Sequence, residues 1–219
     1  MIASGDDARA WLGQTAGASS ERLARLAHLV DLLGEENARQ NLVSPSSLAG
    51  VWQRHIADSA QLLRFVPRET QQSTTWLDLG TGAGFPGIVL AVLRPDWQFT
   101  LVESRAKRIE WLNRVIRALG LANARVEGRR VELMPDAAFD AISARAFAPL
   151  DRLLEISARF STSATQWVLP KGRSARDEVE KLAGWNHTFH VEPSLTDPEA
   201  GIVIGTLEGK NARKKARPS

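Results

Sequence analysis

Between Trp76 and Gly87 the chain reads Trp-Leu-Asp-Leu-Gly-Thr-Gly-Ala-Gly-Phe-Pro-Gly. Glycines at this density permit positive φ and let a bound group approach the backbone closely. A turn of this kind between a strand and a helix lies where open α/β sheets bind nucleotide-like ligands. Other chemistries are excluded by missing residue types. The 219 residues contain no cysteine and no tyrosine. Disulfides, thiolate metal ligands, thiol nucleophiles and phenolic acids or bases are therefore absent. The four histidines, His28, His55, His187 and His190, show no metal-ligand spacing.

Two registers of the glycine turn compete. Gly82-x-Gly84-x-x-Gly87 is formally a dinucleotide fingerprint, and points to an NAD(P)-dependent oxidoreductase. Gly80-x-Gly82-x-Gly84, with Asp78 two residues ahead, matches the loop with which class I methyltransferases bind S-adenosylmethionine. Bulky Phe85 and Pro86 stand where a pyrophosphate needs open backbone, which favours the second register. Glu103, ending the next strand, can accept from two ribose hydroxyls in either case and does not discriminate. Pro86 suits the first turn of the helix that follows.

Such a turn needs a sheet and helices to hold it. Residues 1 to about 70 read as helical: a short helix at Ala8–Leu12, a second after the cap candidates Ser19 and Ser20, and a third capped by Ser46 or Ser47 and running through Val51, Ile56, Leu62 and Leu63, with Pro67 just beyond. From Ser73 strands alternate with helices. Strands are expected at Thr75–Leu79, Phe99–Glu103, Ala124–Glu127, Phe139–Ser143, Gln166–Leu169, His187–Val191 and Gly201–Leu207. Helices are expected at Ile88–Leu93, Arg105–Leu119, Leu150–Phe160 and Ala175–Leu182. The pattern predicts an α/β fold: a class I, Rossmann-like sheet, mainly parallel with an antiparallel edge strand, plus an N-terminal helical extension. The expected divisions are an extension at 1–72, a methyltransferase domain at 73–208 and a basic, disordered tail at 209–219.

Net charge is +3, from 28 Lys and Arg against 25 Asp and Glu. Lys210, Arg213, Lys214, Lys215 and Arg217 supply +5 without an acid, so residues 1–208 are slightly acidic. The basicity is a property of the tail, which can touch nucleic acid or simply remain solvated. The longest strongly apolar stretch, Ile88–Leu93, is far short of a membrane span. With Asp6 and Asp7 near the start, the N-terminus does not read as a signal peptide. A cytoplasmic protein without membrane or metal partners is expected, and a monomer.

Further segments carry a resemblance: Gln40-Asn-Leu42, Arg54-His-Ile-Ala-Asp-Ser59, Leu77 to Gly87, Leu101-Val-Glu-Ser104, Lys107-Arg108, Gly128-Arg-Arg-Val-Glu132, Ala144-Arg-Ala-Phe-Ala-Pro-Leu150 and Leu169-Pro-Lys-Gly172. Together they resemble the RsmG (GidB) family, bacterial methyltransferases of a guanine N7 in 16S ribosomal RNA. The resemblance spans roughly residues 35 to 210, and Glu103 replaces the Asp of many members. It implies a donor site at Gly80, Phe85, Val131, Glu132 and Arg145, beside Asp78, Gly82, Gly84 and Glu103 from the turn pattern. Val131 and Glu132 would flank the adenine, and Arg145 would pair with a donor carboxylate or with RNA. The implied partner is 16S ribosomal RNA or the small-subunit particle. Another RNA or a small molecule remains an alternative acceptor.

Guanine N7 has an exposed lone pair and no proton, so attack on a sulfonium methyl needs no base, and no catalytic residue is assigned. His55 then reads as a structural hydrogen-bonding residue. Arg54, Lys107, Arg108, Lys171 and Arg173 are candidate phosphate contacts, with a solvated helix face as the plainer reading of Lys107 and Arg108. Trp52 and Trp111, at helical spacing among apolar neighbours, read as core.

Overall fold

Residues 1–66 and 74–211 are described by a computed structural model. Pro67, the expected boundary at 72/73, and the tail cations Arg213, Lys214, Lys215 and Arg217 lie outside the described residues.

In chain order the strands are β1 (Thr75–Leu79), β2 (Gln98–Val102), β3 (Ala124–Glu127), β4 (Ala141–Ala144), β5 (Gln166–Gly172), β6 (Trp185–His187), β7 (His190–Pro193), β8 (Gly201–Gly205) and β9 (Leu207–Lys210). Seven form one sheet in the order β3-β2-β1-β4-β5-β8-β7. The first five run parallel, and β8 and β7 are antiparallel at one edge. Central β1 and β4 are buried along almost their whole length, as a parallel sheet covered on both faces requires. Strand order reverses at β1, between β2 and β4, which opens a crevice at the carboxyl ends of these strands.

Helix α5 (Gly87–Leu93) is apolar on all sides because every residue in it is buried. Helix α6 (Ala106–Ala118) instead buries one stripe, Trp111, Leu112 and Val115. Four tryptophans, Trp76, Trp97, Trp111 and Trp167, are fully enclosed, and Trp52 is buried too, so the core reading of Trp52 and Trp111 holds. On the far side of the sheet, α7 (Leu150–Ser157) buries Leu150, Leu153 and Leu154, and α8 (Ala175–Glu180) follows β5.

The N-terminal region is helical as expected. The hydroxyls of Ser4 and Ser19 cap α1 (Gly5–Gln14) and α2 (Ser20–Asn37). The third helix differs from expectation. Its cap is Ser44, ahead of Pro45, and α3 (Pro45–Ala49) stops at Gly50. The chain continues as a π-helical turn, Trp52–Ala57, then α4 (Asp58–Ala60) and a 3-10 turn, Gln61–Phe65. The wide turn buries Trp52, His55, Ile56 and Ala57 together, which periodicity at 3.6 does not foresee.

The end of the chain differs too. The two expected final strands divide into four, because Gly205 (φ +144°) breaks the second and lies against the backbone of Thr188 and Phe189. β6 and β9 pair separately, so Lys210, read as tail, belongs to a strand. Backbone and side-chain bonds tie the extension to the β7–β8 connection: Ile2 N donates to Leu195 O at 2.7 Å, and Gln53 Nε2 donates to Ile2 O and Thr196 O at 3.0 Å each.

Candidate active site

The glycine turn follows β1 at the crevice. Gly80, Gly82 and Gly84 have φ of +65°, +61° and +104°, conformations that disfavour any side chain. A Cβ on Gly80 would lie 2.2 Å from the Phe147 ring, and one on Gly87 would lie 2.0 Å from Leu101. Asp78 shapes this turn from beneath. Its carboxylate is 1 % exposed and accepts from the Gly87 amide at 3.0 Å and the Ser143 hydroxyl at 2.8 Å. Burial pushes its pKa up, while those two donors work in the opposite sense. Asp78 therefore positions the turn from beneath, with its two oxygens turned to Gly87 and Ser143. Trp111 Nε1 holds the turn from the other side, donating to Ala83 O at 3.0 Å. Pro86 stands one position before α5, as its N-cap, and not within the first turn.

Glu103 directly follows β2 and is buried. Its Oε1 accepts from the amides of Ser104 and Arg105 at 2.7 and 2.9 Å, while Oε2 pairs loosely with Arg108 at 3.7 Å. One oxygen is thus fixed and the other has capacity for a hydroxyl. After β3, Val131 is buried and Glu132 exposed in a single 3-10 turn. Positive-φ glycines, a buried carboxylate with a loosely paired oxygen and an apolar residue beyond the next strand form a cradle that fits S-adenosylmethionine. Glu103 would hold the ribose, and Val131 would flank the adenine.

Arg145, after β4, reaches the N-terminal extension. It donates to His55 Nδ1 at 3.0 Å and to Arg54 O at 3.4 Å, and pairs with Asp58 Oδ2 at 3.4 Å. Its guanidinium also lies over the Phe85 ring, 5.4 Å from the centroid, and His55 stacks on the same ring at 4.8 Å. Burial, then Arg145 and Arg54, lower the His55 pKa to about 3, so the ring is neutral. Its Nε2 has no partner among the described residues. Beside this cluster a cleft of about 820 Å³ extends past the ends of β4 and β5 to the start of β8.

The expected phosphate contacts divide. Arg54 is exposed on the cleft. Lys171 also borders it, but its ammonium donates to Ala148 O at 2.6 Å and pairs with Glu178 at 2.9 Å, so it clamps the loop after β4. Arg173 is paired with Glu199. Lys107 is exposed on the opposite, β2 side, and Arg108 faces Glu103 and Gly82 there. These five cations therefore do not form one cluster.

Phe147 and Asp58 were missed as site residues. Asp58 had a signal: it stands four residues after Arg54 and three after His55, spacings at which helical side chains meet. Phe147 stands in the Ala144–Leu150 segment of the resemblance, but its place over Gly80, next to Ala146 at φ +50°, shows only in the fold. Among the described residues, no helix is long and apolar enough to cross a membrane.

The family model for rRNA small subunit methyltransferase G (GidB) matches residues 22–195. The Ribosomal RNA small subunit methyltransferase G of Novosphingobium aromaticivorans is 58 % identical over 202 residues, 92 % of this chain and 87 % of the relative. That of Erythrobacter litoralis is 53 % identical over 211 residues, 96 % and 100 %. Among solved structures, a SAM dependent methyltransferase from Aquifex aeolicus superposes with a TM-score of 0.56 at 16 % identity, over 78 % of this chain and 97 % of that one. This last likeness bears on the fold, and agrees with the class I sheet order seen here. The matched segment contains the glycine turn, Glu103, Val131 and Arg145, and the chain belongs to the GidB family of rRNA small subunit methyltransferases G.

Proposed function

We propose that the protein transfers a methyl group from S-adenosylmethionine to N7 of a guanine in 16S ribosomal RNA. Family membership supports the class of reaction, and the crevice supports the donor: three positive-φ glycines follow β1, and beside them a buried Glu103 follows β2 with Oε2 only loosely paired to Arg108, at 3.7 Å. The donor supplies an electrophilic methyl on a sulfonium. N7 attacks with its lone pair as the carbon–sulfur pair returns to sulfur, leaving a thioether and a cationic purine, and no proton moves. The protein's part is alignment and electrostatics. Asp78 and Trp111 hold the turn, and Arg145, capped by His55, sits between donor turn and cleft.

Arg54 at the cleft and Lys107 and Arg108 beyond the turn are the cations best placed for RNA phosphates. A cytosolic monomer acting on RNA or on the small-subunit particle completes the reading, with residues 1–72 as extension and a catalytic domain from 73 that runs at least through β9 to Lys210. Labelled methyl transfer to small-subunit RNA, mapped by mass, tests it. Methyl at guanine N7 is expected. Methyl at another atom, or none, overturns it. A thermal shift with S-adenosylhomocysteine and none with NAD is expected alongside.

A further inference from the structure

We propose that the cleft beside Arg145 receives the target guanine and that Asp58 reads its N1–H and 2-amino edge. The proposal rests on the function proposed above and names how that site selects its base.

Position comes first. The donor turn lies on the β1–β2 side of the crevice and the cleft on the β4–β5 side. Phe147 belongs to both: its ring covers Gly80 and it lines the cleft. A base entering the cleft is therefore bounded by the same ring that borders the donor turn, which brings it next to the donor side of the crevice. At about 820 Å³ the cleft lies in the range of nucleotide-sized sites. A base inside a folded RNA must leave its stack to be methylated in such a pocket.

Asp58 has the chemistry to identify that base. Its Oδ1 accepts from the Thr196 hydroxyl at 2.8 Å and Gln61 Nε2 at 2.9 Å, which fixes the carboxylate. Its Oδ2 faces Arg145 at 3.4 Å, well beyond the ~2.7–2.9 Å of a charge-assisted bond, so it retains accepting capacity. The Asp58 side chain is 20 % exposed and lines the cleft. Guanine presents N1–H and a 2-amino group side by side, both donors. Adenine presents an acceptor at N1, which a fixed carboxylate repels. Methylation at N7 also makes the purine cationic and N1–H a stronger donor. The Asp58 contact therefore tightens in the transition state, which turns recognition into rate.

The test uses full-length protein and small-subunit RNA carrying guanosine, inosine or 2-aminopurine at the mapped target. Inosine lacks the 2-amino group, and 2-aminopurine lacks N1–H. Wild-type rates should fall about 10-fold with inosine and at least about 100-fold with 2-aminopurine. Asp58→Asn keeps an oxygen for Thr196 and Gln61 but presents N–H donors in place of Oδ2. It should bind S-adenosylhomocysteine as the wild type does, methylate guanosine at least about 100-fold more slowly, and prefer guanosine over inosine by less than about twofold. An unchanged guanosine-to-inosine ratio in a folded Asp58→Asn protein reduces Asp58 to an anchor of the extension and overturns the proposal. If that variant does not fold, Thr196→Val decides. It frees the carboxylate and keeps its charge, so the ratio should fall, and an unchanged ratio overturns the proposal. Wild-type protein that leaves guanine N7 unmethylated overturns the underlying function, and this proposal with it. Methylation of N7 without discrimination among the three bases overturns only the proposal.

Discussion

Arg145 donates to Nδ1 of His55 across 3.0 Å, joining the loop after β4 to the N-terminal extension. A guanidinium has no acceptor, so Nδ1 must accept and the neutral ring carries its proton on Nε2. This tautomer follows from the partner. It makes the extension part of the site, because the same ring supports Phe85 in the donor turn.

A pH dependence follows from that pair. The His55 pKa is about 3 in the folded protein, against 6.5 for the free side chain, with burial the main cause and Arg145 and Arg54 adding to it. Between those values the unfolded chain holds a proton that the native state does not. Stability is therefore complete above pH 6.5 and falls as pH drops through the window. The loss attributable to His55 at pH 5 is about 2 kcal/mol. Urea unfolding at pH 7.5 and 5.0 should show it in the wild type and not in His55→Gln. Equal losses in the two proteins would place the sensitivity elsewhere.

Gly80 and Gly82 share a backbone conformation but not a neighbour. Alanine at either position costs about 1–2 kcal/mol for the left-handed backbone. At Gly82 the new methyl meets the end of Arg108 at 3.4 Å and the Gly80 carbonyl at an ordinary 3.7 Å, whereas at Gly80 it drives into Phe147. Gly80→Ala should therefore weaken S-adenosylhomocysteine binding at least about 10-fold more than Gly82→Ala by calorimetry. Equal affinities would mean that Phe147 yields freely and does not shape the donor site.

Much of this arrangement was legible in the sequence. The donor turn was, because glycine spacing and an acid at the end of the next strand are local signals that a parallel sheet brings together. The wide turn at Trp52–Ala57 and the strand break at Gly205 were not. The first depends on packing against segments distant in the chain, with Gln53 reaching Thr196, and the second on the close approach of Gly205 to the backbone of Thr188 and Phe189. Asp78 shows the same division. Its place in the motif was plain, but only the fold reveals that its oxygens are spent on Gly87 and Ser143.

Glu103 tests the donor assignment directly. Glu103→Gln retains an oxygen for the Ser104 and Arg105 amides, so the strand end should keep its shape and the melting temperature should change little. The lost charge removes a strong hydroxyl acceptor worth about 1.5–3 kcal/mol, or ~10- to 100-fold in S-adenosylhomocysteine affinity. Undiminished affinity would exclude Oε2 from the donor site.

Lys171 separates a clamp from a phosphate contact. Its side chain is 8 % exposed and its ammonium bridges the Ala148 carbonyl and Glu178, while Glu178 also accepts from the Leu150 amide at 2.8 Å. Burial pushes the Glu178 carboxyl up, and the Ser174 hydroxyl and Lys171 more than reverse this. Lys171→Met would strand that carboxylate and free the loop, at a cost of about 1–3 kcal/mol. A lysine bound to phosphate instead contributes to the salt dependence of RNA affinity, and removing it flattens the slope by about one unit. We expect Lys171→Met to lower the melting temperature and leave the slope unchanged. Arg54→Gln, at the exposed lip of the same cleft, should flatten the slope and leave the melting temperature unchanged. The reverse pattern would return Lys171 to the RNA surface and make Arg54 a structural residue.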